Sequence, residues 1–274
     1  MRKRLLVVGG VILMLILAGL WWWQRPSRVV TAAVEKLGAA QTQQFKADLQ
    51  LANAPAGEAL LGQPSEVQLL LQGAFERKAD QRDSLTSAVQ LITATEGLTL
   101  RVEGETRFIG DQAYVRIISS PPTFPVLVQL KDTWLSLPRG ADSSASEARL
   151  PEQLFTEVDR VGSEKVNDRR ATKYSAQATS EAVVQLLDSI ADLLGTRLTD
   201  EQINNIRQSV AGGSTVPIDI WVSPVSRELI KLAATLTIPG SNTIGFTFEP
   251  SARNEPVDIS VPENPVSLET ALQQ

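Results

Sequence analysis

The sequence predicts an α+β chain: an N-terminal transmembrane helix, then a curved antiparallel β-sheet covered on one face by helices. Three observations carry that expectation. The triplet Arg2-Lys3-Arg4 precedes a run without charge from Leu5 to Trp23. From Phe45 onward, apolar residues recur with period two in many short segments. The helical period is confined to a few stretches, chiefly 27–44 and 181–211.

The first element is residues 5–23. A helix of that length spans about 28 Å at about 1.5 Å per residue, close to the thickness of a bilayer's hydrocarbon core. Three positive charges before it keep residues 1–4 in the cytosol, and Trp21-Trp22-Trp23 suit the far headgroup layer. The expectation is a single-pass protein of the cytoplasmic (inner) membrane, N-terminus inside, with everything beyond the neck at 24–28 on the periplasmic side. A cleaved signal peptide is the competing reading, with a weak site at Thr31-Ala32-Ala33. Its apolar region would be shorter, about 7–15 residues. Leu17-Ala18-Gly19 would read as a lipobox if Cys followed, but position 20 is Leu.

Roughly 250 residues remain, enough for one large or two small domains. The chain carries a net charge of −5, more acidic still once the leading triplet is set aside, which argues against nucleic acid as a partner. It has no Cys and no His. Disulfides, thiolate and imidazole metal sites, and His-dependent nucleophile systems are therefore excluded. No S-x-x-K stretch occurs and no nucleophile can be placed, so the expectation is a non-enzyme without cofactor or metal.

Ser27 is a candidate N-cap for a helix to about Gln44, with Val30, Ala33, Val34 and Leu37 as its apolar stripe. Strand periodicity follows at 45–51, 67–76 and 84–96. Residues 98–103 are the cleanest strand and lead through a Gly110-Asp111 turn into 113–117, a hairpin signal. Val126–Leu137 reads as strand broken near Lys131-Asp132, and 139–146 as a small-residue polar loop. Pro151 suits the first position of a short helix over 151–160, and strands resume at 162–178. Ser180 and the Thr199-Asp200-Glu201-Gln202 capping box start the two helices of a hairpin over 181–211, the natural cover for the sheet. Strands at 216–222, 229–238 and 243–249 follow, with a tail strand at 257–261.

This order of elements resembles a known family, the LolA/LolB-type lipoprotein carriers, and more closely the LppX/LprG-type envelope lipoproteins of bacteria. The stretches that carry the resemblance are Phe45-Lys46-Ala47-Asp48, residues 165–174, Val216–Val222 with Arg227-Glu228-Leu229-Ile230, and Phe248 with residues 256–262. It covers roughly residues 29–265, through fold-shaping positions rather than one motif. It implies a strongly curved open half-barrel with helices on its concave face, enclosing an apolar cavity for acyl chains. Residues 29–268 would then be a lipid-binding domain and 269–274 a tail. Leu20 stands where a lipidated Cys would be, so the resemblance implies a tethered receiver or holder of lipid or lipoprotein rather than a diffusing carrier.

If such a cavity exists, the inward alternation must line it, since a hydrocarbon chain needs an apolar wall. The candidates are Leu69, Leu71, Val89, Leu91, Leu98, Leu100, Val115, Ile117, Ile220, Leu232, Leu236 and Phe246. The plainer reading is that they pack on the helices, and Phe45, Phe75 and Phe246 are large enough to fill a small cavity. Trp221 stands out of phase with Ile220 and Val222 and so faces the other way. Phe124 among prolines is a candidate lip. Asp188 and Asp192 share a helix face but make a weak cation site, and Glu103 and Glu105 read as outward solubilising charges. The alternative function is a structural or protein-interaction domain of the envelope.

Overall fold

The computed structural model describes residues 25–52, 66–77, 84–95, 98–138, 155–179, 184, 204, 216–237 and 243–273. They form one sheet of twelve strands. In chain order these are β1 (Thr42–Ala52), β2 (Glu66–Glu76), β3 (Ser84–Thr95), β4 (Leu98–Ile109), β5 (Gln112–Ser119), β6 (Trp134–Pro138), β7 (Phe155–Val166), β8 (Arg169–Ala178), β9 (Val216–Val222), β10 (Leu229–Thr237), β11 (Thr243–Ser251) and β12 (Val266–Ser267). The described helices are α1 (Pro26–Gly38), α2 (Pro125–Gln129) and α3 (Leu268–Ala271).

The spatial order is β12-β6-β5-β4-β3-β2-β1-β11-β10-β9-β8-β7. Two antiparallel meanders, β1 to β6 and β7 to β11, thus join through one pairing, β1 with β11. Only β12 runs parallel to its neighbour. The turns follow from local chemistry. Gly110 takes φ 57° between β4 and β5, and Asn167 and Asp168 take φ 47° and 61° in the two-residue β7–β8 hairpin. Positive φ at both central residues is the twist-matched hairpin geometry that Asn and Asp tolerate. Register shifts in the β4–β5, β9–β10 and β7–β8 pairs bend the strands locally.

Two clusters on one face of the sheet form the core. In the first, Val29, Val30 and Ala33 of α1 pack on Tyr174, Ala176, Ile218, Ile220 and Val222. In the second, Phe45, Leu85, Phe108 and Ala113 meet across β1, β3, β4 and β5. Burial of each large aliphatic or Phe side chain contributes roughly 1.5–3 kcal/mol. The predicted α1 stripe is the buried one, with Val29 added. The helix begins with Pro26 at its first turn and has no side-chain cap, so Ser27 is not the N-cap. It ends at Gly38 because Thr42 already belongs to β1.

The expected α+β class is corrected. Among the described residues the chain is an open, almost wholly antiparallel sheet with three short helices. Of the expected cover at 181–211 only Val184 and Asn204 are described, both helical, the first buried and the second exposed. The expected membrane topology is corrected too. No helix among the described residues is long and apolar enough to cross a membrane. The longest, α1, has 13 residues and carries Arg28, Glu35 and Lys36, against about 20 apolar residues for a span. The expected span 5–23 lies outside the described residues, and the single-pass inner-membrane assignment is withdrawn.

Smaller corrections have local causes. Residues 125–129 are helical because Pro125 opens a helical turn, leaving only 134–138 as strand. Of the expected helix over 151–160, residues 155–160 are instead the start of β7, where Phe155 and Val158 pack on the α1 cluster, and 151–154 lie outside the described residues. Residues 257–261 form no ladder; the closing strand is Val266–Ser267.

Close approach of strands makes one glycine a sharp test. A Cβ at Gly73 would stand 2.0 Å from the Thr86 carbonyl oxygen, whereas at Gly245 the nearest atom is Gln50 Cβ at 3.7 Å. Gly73→Ala should lower stability by about 1–3 kcal/mol or more, because backbone must move. Gly245→Ala should stay within about 0.5 kcal/mol. Urea unfolding of the two variants checks the difference.

Candidate functional site

Register turns the core face into transverse rows. One row runs Gln43, Phe75, Leu85, Phe108, Ala113, Leu137; the next runs Phe45, Gly73, Ser87, Thr106, Val115, Leu135. The third passes from Tyr174, Ile220, Leu232 and Phe248 to Ala47, Leu71, Val89, Gly104 and Ile117. The fourth holds Phe246, Leu49, Leu69, Leu91 and Val102, and the fifth Ile244, Leu51, Val67, Thr93 and Leu100.

All twelve candidate residues fall on this face. Val115 is in the second row; Leu71, Val89, Ile117, Ile220 and Leu232 are in the third; Leu69, Leu91 and Phe246 are in the fourth. Leu100 is in the fifth, Leu236 stands opposite Ile244 in the same row, and Leu98 lies one step further, opposite Thr95. Burial divides them. Ile220 is fully buried against α1, and Leu232 packs partly on the same cluster. On β1 to β4 the third to fifth rows are mostly half-buried, and Leu91 and Leu98 are 38% and 46% exposed.

The first two rows close one end of this face. Phe45, Leu85 and Phe108 are buried there, and Phe45 stacks on Phe248 with ring centroids 6.0 Å apart. The Ser87 and Thr106 hydroxyls satisfy each other at 2.8 Å. Phe45 and Phe75 are therefore wall rather than lining of the open rows. Leu49, Leu51, Val67, Val102 and Ile244 belong with the candidates and were missing from the predicted set. The alternation of 45–51 and 67–75 carried the signal for the first three.

The opposite face is polar. A trough of about 630 Å³ on it is lined by Lys46, Asp48, Gln90, Lys231 and Glu249 together with Leu70 and Ile118, so a hydrocarbon there would lie among charged groups. The two described tryptophans, Trp134 and Trp221, lie on this face under cations. Trp221 has Lys173 Nζ at 4.9 Å and Lys231 Nζ at 5.5 Å from its ring, and its indole N–H donates to Glu164. Trp134 has the Arg107 and Arg116 guanidiniums each 4.9 Å away. Glu103 and Glu105 pair with Arg101 and Arg116 at 2.6 and 2.7 Å. Phe124 is the N-cap residue of α2. Asp188, Asp192 and the loop at 139–146 lie outside the described residues. Among the described residues no three His, Cys, Asp or Glu side chains gather as a metal site.

No protein-family model and no curated protein matches the chain. Its structure is similar to that of the Mycobacterium tuberculosis lipoprotein LppX, at 15% identity over 85% of this chain and 96% of that one, with a TM-score of 0.46. It is also similar to LprF from Mycobacterium bovis, at 11% identity over 86% and 96%, TM-score 0.49. A putative outer membrane lipoprotein-sorting protein domain from Vibrio parahaemolyticus shares 9% identity over 88% and 96%, TM-score 0.26. The LppX type is the one that the sequence resembles. With scores below 0.5, the functional reading rests on this chain's own side chains.

One titratable group of the face is perturbed. Burial pushes the Tyr174 phenol above its ordinary value, against a smaller opposing pull from Arg160 and Arg227. A phenol raised in the folded state leaves stability intact below the unfolded value of about 10 and removes it as pH climbs through the folded one. Stability should therefore fall above about pH 10, and Tyr174→Phe should remove that part of the alkaline slope. Denaturant midpoints measured from pH 8 to 11 check it.

Proposed function

We propose that the chain binds the acyl chains of a lipid or an acylated protein on the core face of β1 to β4, as a step in envelope lipid or lipoprotein trafficking, and that it does so without catalysis. One observation carries the reading: a continuous apolar surface whose side chains are half-buried or exposed, including Leu69, Leu71, Val89, Leu91 and Leu98. Water contact with such a surface is unfavourable, and each methylene of a ligand that covers it contributes roughly 0.8 kcal/mol. The Phe45–Leu85–Phe108 wall ends the surface at one side. Strand ladders satisfy the backbone beneath it, so a hydrocarbon meets few unpaired polar groups.

A second reading, a scaffold whose face is already filled, is favoured by the phenylalanines of the first two rows. The two differ in the third to fifth rows, where ligand rather than protein must supply the cover.

The test places a charge on each face of adjacent strands. Leu91→Asp lies on the open apolar face and Leu70→Asp on the polar one, and both positions are solvent-accessible. The purified full chain is titrated with a fluorescent long-chain fatty acid below its micellar concentration. Leu91→Asp should weaken binding by about tenfold or more, since a carboxylate must then face hydrocarbon. Leu70→Asp should leave it within twofold. Equal affinities in the two variants would sink the acyl-binding reading and favour the scaffold.

A further inference from the structure

At the strand ends opposite Leu98, the β7–β8 pair sets up an unusual charge pattern. Lys165 stands directly opposite Arg170, Ser163 opposite Thr172, and Arg160 opposite Tyr174. These three rows lie on one face of the hairpin. Like charges directly opposed across a ladder oppose folding, and here a third cation follows two rows away on the same face. No ion pair or hydrogen bond among the described residues engages the side chain of Arg160, Lys165 or Arg170. The pattern therefore stands uncompensated in a chain of net charge −5.

Arg160, Arg169 and Arg170 line one groove of about 540 Å³, with the hydroxyls of Ser163, Thr172 and Ser223 between them. No carboxylate lines it. Glu228 approaches Arg169 at 3.8 Å but is shared with Arg253 at the same distance and accepts from Ser226 Oγ at 2.9 Å. Val225, at the tip of the β9–β10 turn, forms the groove's lip and is 91% exposed. The charge of Arg160 also reaches Tyr174 on the core face.

We propose that this groove binds the phosphate of an anionic lipid headgroup, with Val225 touching the lipid's apolar part. Guanidiniums offer paired donors that fit phosphate oxygens, and the neighbouring hydroxyls extend the donor set. Arg170, which faces Lys165 across the ladder, gains a counter-ion in the bound state. A free phosphate ion uses the same donors but gains nothing from an exposed valine, and so a lipid is the better fit. The groove lies on β8 and β7, across the sheet from the open apolar rows of β1 to β4, and spans the first to third rows.

The probes are dihexanoyl phosphatidylglycerol, dihexanoyl phosphatidylcholine and inorganic phosphate, each titrated below any micellar concentration into the full chain. Arg2-Lys3-Arg4 also attract an anionic lipid but add the same background to every variant, so the groove's share is the difference between the wild-type chain and the variants. The wild-type chain should bind phosphatidylglycerol at least tenfold more tightly than phosphatidylcholine, and more weakly as salt rises. The double variant Arg160→Gln/Arg170→Gln should lose that preference and most of the salt dependence. Both side chains are exposed, so the fold should tolerate the change, and an unchanged unfolding midpoint confirms this. Val225→Ser should weaken phosphatidylglycerol a few-fold while leaving inorganic phosphate unaffected. Equal affinity for the two lipids, or a double variant that keeps the preference, would overturn the site. Inorganic phosphate binding as tightly as phosphatidylglycerol would overturn the lipid assignment and leave a simple anion site.

Discussion

The rest of the structure depends on the antiparallel pairing of β1 with β11. Register runs unbroken from Gln44 opposite Ser251 to Ala52 opposite Thr243, joining segments some 200 residues apart. Each meander is made of neighbours in sequence, but the core face exists as one surface only once this seam closes. Phe248 shows why it holds. It packs in both core clusters, stacks on Phe45, and lies 6.5 Å from Phe246. Closing so long a loop costs only a few kcal/mol more than closing a short one. Phenylalanines that gain partners only at the seam can offset that difference. A contact of such sequence separation also makes the seam a late, slow step of folding.

The two faces of the sheet solve different problems with the same pleat. On the polar face, the charged ends of Lys173, Lys231, Arg107 and Arg116 lie over the indoles; the first two and Arg116 pair with Asp219, Glu249 and Glu105, and Arg107 donates to the Ser260 carbonyl. Trp221 is thereby only 8% exposed on a face that is otherwise hydrophilic. Among the described residues the core face has no such roof over β1 to β4. The apolar surface there is bounded by α1 over β7 to β10 on one flank and by the phenylalanine wall at one end.

The strands that could be read from sequence are those with one wet and one dry face. β3 and β4 fall where period-two alternation puts them, because Arg101, Glu103 and Glu105 alternate with Leu100, Val102 and Gly104. All twelve candidates stand at register positions of the face that this alternation assigned. The first half of β7 was illegible for a physical reason. It is an edge strand with two register shifts and Glu157 at φ 50°, so its apolar residues lose the regular period. At 125–130 a Pro at the first helical position outweighs the β-branched residues that suggested strand. The arginine groove could not be seen at all, since Arg160 and Arg170 become neighbours only through the bulged pairing. The division of the face into closed and open rows was equally hidden, because alternation marks a side and says nothing about what covers it.

That division sets what the core face can hold. In the first two rows the apolar gain of burial is already taken by Phe45, Leu85 and Phe108, and the polar atoms present are spent on each other or on backbone, as with Ser87–Thr106 and the Gln43 amide that donates to the Ser251 carbonyl. An occupant would find no space and no unpaired donor there. In the third to fifth rows of β1 to β4 the side chains other than Leu100 remain partly in water, where each further square ångström covered contributes roughly 25 cal/mol. Because Thr93 is the lone hydroxyl among the apolar residues that these strands contribute to those rows, the surface offers area without direction. It favours a flexible hydrocarbon over a ligand that needs oriented hydrogen bonds, and it fixes the depth of entry by the wall rather than by any specific contact.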